Sequence, residues 1–349
     1  MYTFETPIST SSCSSSTTTI SQQSTSDHYF LAEAMSAAVA VPQHKLSETP
    51  NSRTIEINDW VITASTNPIS SASECDALQA SLGFPLPEMT FGSNYLSLDH
   101  QPSGWKMVFD THNALKCVKK GELGEGDGGV KVGYADAWLK SRTDPGTSLP
   151  LPVTVAAKHY DWTYTAIYPG HHSDTAAEVE SPTHPIPWRD ADSENPSHSI
   201  PLAELTRPDP ILFYAEIPLF EDELHDNGSS NLLVRISKRV MPTCVFILSR
   251  FTLRVDNVLF RTHDTRIYHS FTSTPPLVIR QLSGWEAPYD RIKRRLPSRN
   301  DMTPLTDANF IAKVLTELPV AESQQSGAGT RWRGLRTKVE VALLARDLP

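Results

Sequence analysis

The sequence predicts an α+β fold in which antiparallel β-sheets pack with several helices, in a single domain with a disordered N-terminal tail and polar insertions. Three observations predict it. Residues 245–268 alternate apolar and polar side chains on either side of an Asp256-Asn257 corner, the pattern of a long antiparallel hairpin. Residues 95–99 and 105–109 read as a second hairpin. Residues 307–318 carry Phe310, Ile311, Val314, Leu315 and Leu318 on one helical stripe.

The 349 residues leave room for more than one domain, but much of the length is too polar to join a core, so one domain of roughly 200 to 250 residues is expected. A content of 39% hydrophobic and 20% charged residues with 27 prolines fits a globular chain with irregular insertions, and excludes a fibre. The net charge of -9 argues against an extended nucleic-acid surface, so no nucleic-acid partner is expected. Cys13, Cys75, Cys117 and Cys244 lack CxxC spacing, which points to reduced thiols and not to a zinc knuckle or a disulfide framework. No apolar run approaches the roughly 20 residues a bilayer demands, and the first residues lack a basic segment followed by an apolar one. The expectation is a soluble intracellular protein with no membrane partner, cytoplasmic first and nuclear second.

Residues 1–50, with runs such as SSCSSSTTTISQQSTS, offer too few large apolar groups to offset the entropy of ordering and read as a disordered tail. The domain is expected over residues 54–318, opening with a strand at 54–64. A short helix follows at 73–82, with Ser73 as N-cap and Gly83 as its stop. After the second hairpin comes a short helix at 111–118. Residues 121–130, GELGEGDGGV, are glycine-rich, yet they lack a GK[ST] ending, and Glu122, Glu125 and Asp127 repel phosphate, so they read as a flexible loop. Polar insertions at 141–152 and 171–198 flank an aromatic and β-branched strand, KHYDWTYTAIY. Short pieces at 202–205 and 210–214 lead to a strand at 231–236. Beyond residue 270 a strand end passes into a helix. Residues 319–349 combine a polar linker with a basic segment, RWRGLRTKVEVALLARDLP, for which core docking, partner binding and disorder are all open.

A two-residue turn at Asp256-Asn257 sets a register for the long hairpin. Val255 then faces Val258, Leu253 faces Phe260, Phe251 faces Thr262, Ser249 faces Asp264 and Ile247 faces Arg266. One face collects Val245, Ile247, Phe251, Leu253, Val255, Val258, Phe260 and Tyr268 and is the expected core side. The other carries Arg250, Arg254, Arg261 and His263 as a basic, solvated face. Asp264 and Arg266 fall on the apolar side, where charges are costly unless paired. They are either a fastener at the edge of the core or the mark of a groove that meets a partner.

The acidic run from Glu221 to Gly228 contains candidate metal ligands but neither HExxH spacing nor a calcium-loop pattern. A structural reversal at Asn227-Gly228 is the preferred reading. The alternative is a metal-dependent hydrolase using Asp222, His225 and Asp226 with His263; a scaffold acting through the basic C-terminal segment is a third. There is no GxSxG elbow and no cysteine-nucleophile signature. No catalytic residue, metal or cofactor is assigned, and the chain is expected not to be an enzyme.

The blocks LPEMTFGSN (86–94), NALKC (113–117), YDWTYT (160–165), LFEDELHDNG (219–228), RVMP (239–242) and RFTLRVDNVLFRTHDTRIYH (250–269) occur in the order seen in one family. Together they anchor roughly residues 54 to 296, and by them the chain resembles the TIP41-like family, the Tap42-interacting proteins of the TOR pathway. SGWEAPYD (283–290) is similar to the fungal branch. The resemblance implies a single mixed domain without catalytic activity that binds type 2A phosphatase catalytic subunits and acts in nutrient signalling with a Tap42-like protein. It also implies partner-binding roles at Asn113, Ile200, Thr262 and Asp264, with Arg266 beside them. Asn113 and Thr262 stand where the family pattern has aspartate and methionine. Ser237-Lys238 stands as an insertion before RVMP and is expected to add a bulge to its strand.

Overall fold

Side chains that alternate in polarity at every second position build two antiparallel sheets. The computed structural model describes residues 39–117, 168–172, 187–223, 231–257, 259–318 and 337–344. The first sheet pairs β1 (His44–Thr49), β2 (Ser52–Ile57), β3 (Trp60–Ser65), β5 (Tyr95–His100), β6 (Trp105–Asp110) and β7 (His171–His172) in that order. The second runs β4 (Met89–Thr90), β9 (Phe213–Asp222), β10 (Asn231–Val240), β11 (Cys244–Val255), β12 (Leu259–Ser270), β13 (Leu277–Pro288), β14 (Lys338–Leu343) and β8 (Arg189–Asp190). Helices among the described residues are α1 (Ala72–Leu82), α2 (Thr111–Lys116), α3 (Leu202–Leu205), α4 (Tyr289–Lys293) and α5 (Ala308–Glu317). This is the α+β arrangement the sequence predicts.

Several local expectations change. Residues 54–64 are not one strand: Asn58 and Asp59 both take positive φ (45° and 67°), and this two-residue turn folds β2 back on β3. Ser71, not Ser73, caps α1, its Oγ accepting from the Glu74 amide while the Glu74 carboxylate accepts from the Ser71 amide at 2.7 Å. Gly83 ends the helix at φ 75° as expected. Strand β1 lies within the expected tail, and β7, β8 and a 3-10 turn (Pro196–His198) lie within the expected 171–198 insertion. Of the three options for the C-terminal segment, core docking holds for β14, which pairs along β13 from Leu277↔Leu343 to Leu282↔Lys338. The bulge sits elsewhere too. Strand β10 stays in continuous register with β11 through Ser237 and Lys238, whereas Val234 pairs with Phe220 and Arg235 with Pro218, which leaves Leu219 of β9 as the extra residue. The 121–130 and 141–152 loops and most of the aromatic strand lie outside the described residues.

The main core lies between the sheets. Ile55, Ile62, Leu96 and Phe109 of the first meet Ile217, Ile236, Ile247, Leu253 and Ile267 of the second, all fully buried. Each such side chain contributes about 1.5 to 3 kcal/mol. Trp60 bridges the layers, its ring 4.9 Å from His100 on its own sheet and 4.9 Å from His269 on the other. The back of the second sheet is covered as well. At one end α4, a 3-10 turn (Thr303–Thr306) and α5 enclose Phe260, Ala287, Ile292, Leu305, Ile311 and Leu315. At the other, Cys244, Tyr268, Ile279 and Val341 pack with Ile200 and Leu205. Cover on both faces explains why β12 is buried nearly throughout.

A lysine is buried against the main core without a hydrogen-bonding partner. Lys238 has no exposed surface, its Nζ makes no hydrogen bond and sits 3.5 Å from the Phe213 ring centroid, and burial, with Arg53 nearby, pulls it down to about 6. Between pH 6 and 10.5 the unfolded chain holds a proton here that the folded chain lacks, so stability rises with pH across that window. Lys238→Met should stabilise the protein at pH 7, on the order of a few kcal/mol, and remove that rise; melts from pH 6 to 10 check it. Burial likewise lowers His269 to about 4, although its Nδ1 donates to the Leu277 carbonyl. As pH falls below 6.5 the unfolded histidine binds a proton first, so stability drops from pH 6.5 toward 4. His269→Gln should shrink that loss by on the order of 1–3 kcal/mol, read from melting curves over the same interval.

Candidate functional site

The geometry of the site follows from the connection between β11 and β12. Val255 pairs with Leu259, so three residues are enclosed rather than two, and Asn257 adopts φ 60°. One residue of register changes every facing. Ile247 lies opposite Ile267, Leu253 opposite Arg261, Phe251 opposite His263, Arg250 opposite Asp264 and Leu248 opposite Arg266. The expected register is therefore corrected by one: Asp264 and Arg266 leave the apolar face between the sheets, and Arg261 and His263 occupy it.

Those two are accommodated there by pairing and neutrality. Arg261 donates through Nε to Glu286 at 2.7 Å, and burial pushes Glu286 up to about 7 against the pull of that arginine. His263 stands edge-on to Phe251 at 5.5 Å, and burial, then Arg261, lower it to about 3, leaving a neutral ring at neutral pH.

On the back face, Asp264 is fully buried. Arg250 grips it in a bidentate pair along one edge of its guanidinium, Nε to Oδ1 and Nη2 to Oδ2 at 2.7 Å each, and its Nη1 reaches Asn309 Oδ1 of α5 at 2.8 Å. Arg266 adds a single bond from Nη2 to Oδ2 at 3.2 Å. The Arg250 side chain is 13% exposed and that of Arg266 23%. Thr262, also fully buried, stands between Thr252 and Trp285 in the next cross-strand row, and Ser283 lies beside Asp264. The hydroxyls of Thr252, Thr262 and Ser283 make no hydrogen bond.

The structure thus brings four sequence-assigned residues to one side of the sheet. Thr262, Asp264 and Arg266 lie along β12, and Ile200 packs at the Tyr268 end of the same face. Asn113 is on the other side. It occupies the first turn of α2, where its backbone N–H donates to the N-cap Asp110 at 2.7 Å and its Nδ2 donates to both oxygens of that carboxylate, 3.2 Å from His171 Nε2. Tyr168 ties this corner to the inner face of β12: its hydroxyl accepts from the Asp110 amide and its carbonyl from Thr265 Oγ1. Sequence reasoning missed Arg250 and Asn309 as partners of the cluster. The three-residue turn would have placed Arg250 opposite Asp264.

Of the candidate metal cluster, Asp222 and His263 lie among the described residues. Asp222 ends β9, nearly buried, with its carboxylate accepting from the Glu88 amide at 2.9 Å. His225 and Asp226 lie outside the described residues, and His263 faces the core between the sheets. Among the described residues no group of three or more His, Cys, Asp or Glu side chains is placed to hold a metal ion.

The site is thus an arginine–carboxylate cluster buried on the back face of an eight-stranded sheet. The family model described as the TIP41-like family matches residues 89–293, which include β11 and β12, the strands that carry Arg250, Asp264 and Arg266. Among curated relatives, a TIP41-like protein of Dictyostelium discoideum is 37% identical over 76% of this chain and 89% of its own length. The type 2A phosphatase activator TIP41 of Saccharomyces cerevisiae is 36% identical over 74% of this chain and 70% of its own, and a human TIP41-like protein is 35% identical over 76% and 85%. The chain belongs to the TIP41-like family.

Because the Thr262 hydroxyl is buried without a partner, its desolvation is uncompensated. Thr262→Val should leave stability unchanged or raise it by about 1 kcal/mol, measured by denaturant unfolding, whereas a loss would mean that the hydroxyl is bonded in solution.

Proposed function

We propose that this chain is a non-catalytic regulator that binds the catalytic subunits of type 2A protein phosphatases. The observation that carries the reading is the match to proteins named type 2A phosphatase activator in Saccharomyces cerevisiae and Schizosaccharomyces pombe, the latter 32% identical over 72% of this chain. An activator acts on another enzyme, and what it needs is a surface held rigidly. The back face around Thr262, Asp264, Arg266 and Ile200 supports that role, since its side chains are fixed by strand pairing and by α5. Contact with a Tap42-like protein, a place in TOR signalling and a cytoplasmic location with a second, nuclear one belong to the same proposal. They rest on the family resemblance.

Affinity purification of the tagged full chain from cells, with quantitative identification of co-purifying subunits, tests it. Type 2A catalytic subunits should be enriched at least tenfold over a control bait, and a Tap42-like protein should be recovered with them. Absence of any phosphatase catalytic subunit would overturn the regulator reading, while recovery of the subunit without the Tap42-like protein would remove only that partner.

A further inference from the structure

Asp264 is the residue that the family resemblance singles out, yet its environment denies it to a partner. It has no solvent exposure, and both carboxylate oxygens are occupied by Arg250 and Arg266. Arg250 is committed as well, with Nε and Nη2 on Asp264 and Nη1 on Asn309 and the Ala308 carbonyl. Arg266 differs. Only its Nη2 is bonded, at 3.2 Å, its side chain is the most exposed of the three, and its Nε and Nη1 have no acceptor among the described residues. Two guanidinium groups against one carboxylate also leave the cluster with one positive charge in excess, at the arm that faces solvent.

On the reading that this face docks a phosphatase catalytic subunit, we infer that Arg266 is the contact residue and Asp264 a positioning residue, and that the group recognised is an acidic side chain of that subunit. An arginine fork matches a carboxylate in geometry as well as charge. Cross-strand neighbours set the frame around it: Leu248 on β11 and Gln281 on β13, both half-buried, flank Arg266 on the same face. Partial burial beside Leu248 and behind the docked partner keeps the pair from full screening, so it gives affinity as well as orientation. Asp264 holds the guanidinium down by one edge and leaves the other edge outward. Without that anchor the long side chain regains its rotamers and loses its aim.

Binding of the purified full chain to the purified catalytic subunit, measured by titration calorimetry at two salt concentrations, tests this by a double-mutant cycle. Arg266→Gln should weaken binding about tenfold or more, reduce the salt dependence and lower the melting temperature only slightly, since Arg250 keeps both bonds to Asp264, and Arg266→Lys should recover part of the loss. Asp264→Asn should weaken binding in the wild-type background and add nothing in the Arg266→Gln background. Additive losses would make Asp264 a contact in its own right and overturn the inference, as would unchanged binding by Arg266→Gln. A second arm does not depend on how Asp264→Asn folds: Arg266→Glu is paired with Asp→Lys or Glu→Lys changes across the surface of the subunit. Rescue by one of them supports the assignment, and rescue by none overturns it. If the wild-type chain itself fails to bind the subunit, the regulator reading falls; if it binds and Arg266→Gln is silent, only this inference does.

Discussion

Pairing of Val255 with Leu259 determines which side of β12 every residue faces, because strand side chains alternate with a period of two. With three residues in the connection, odd-numbered positions of both strands turn toward the first sheet and even-numbered positions turn to the back. Ile247, Leu253 and Ile267 thereby close the main core, while Arg250, Asp264 and Arg266 meet on the opposite side. A slip of one residue in β12 would place Asp264 and Arg266 between the sheets and drive Leu259 and Ile267 out. Stranding a charge there costs several kcal/mol and each expelled aliphatic side chain about 1.5 to 3. Such a penalty specifies the register strongly, and with it the site.

A carboxylate without solvent exposure persists only where its own environment replaces water. For Asp264 that replacement is a bidentate arginine on the neighbouring strand and a second arginine two residues along. The same Arg250 reaches Asn309, so the cluster also fastens α5 to the sheet next to the apolar contacts of Ile311 and Leu315. Helical cover ends on one side of this cluster and the Ile200 and Leu205 cover lies beyond it. Between the two, among the described residues, the sheet itself faces outward through Leu248, Arg266 and Gln281. Rigidity and access therefore come from one arrangement: strand pairing supplies the first and the gap between covers supplies the second.

Features encoded within a short window were legible. The apolar stripe from Phe310 to Leu318 became α5, Gly83 ended α1, and residues 95–109 paired as β5 and β6. Features that depend on one residue of turn geometry or on distant partners were not. Asn58-Asp59 sits inside an unbroken alternation, so the hairpin it makes looks like a single strand. Asp256-Asn257 suits a two- or a three-residue connection because no glycine settles the choice, and the two inverts the faces that the three produces. Strand β14 finds β13 across the intervening helices, a pairing that no local pattern announces. At the site, the sequence marks Asp264 and Arg266 as a charged pair needing explanation, but a two-residue turn puts their main partner, Arg250, on the opposite face.

The separation of Asn113 from Asp264 has a structural resolution. Asn113 spends its side chain on Asp110 and the neighbouring His171, which fixes the start of α2. Asp110 bonds Tyr168 through its amide, and the Tyr168 carbonyl receives Thr265, the residue next to Asp264 in β12. Physical contact therefore runs continuously from Asn113 through the inner face of the sheet to the strand that carries the buried cluster. Arg266 lies on the back of that strand, and Asn113 connects to it through Tyr168 and Thr265 on the inner side. Because β12 is held from both sides, by Tyr168 on the inner face and by Arg250 on the back, the sheet acts as a shared support for positions that never touch.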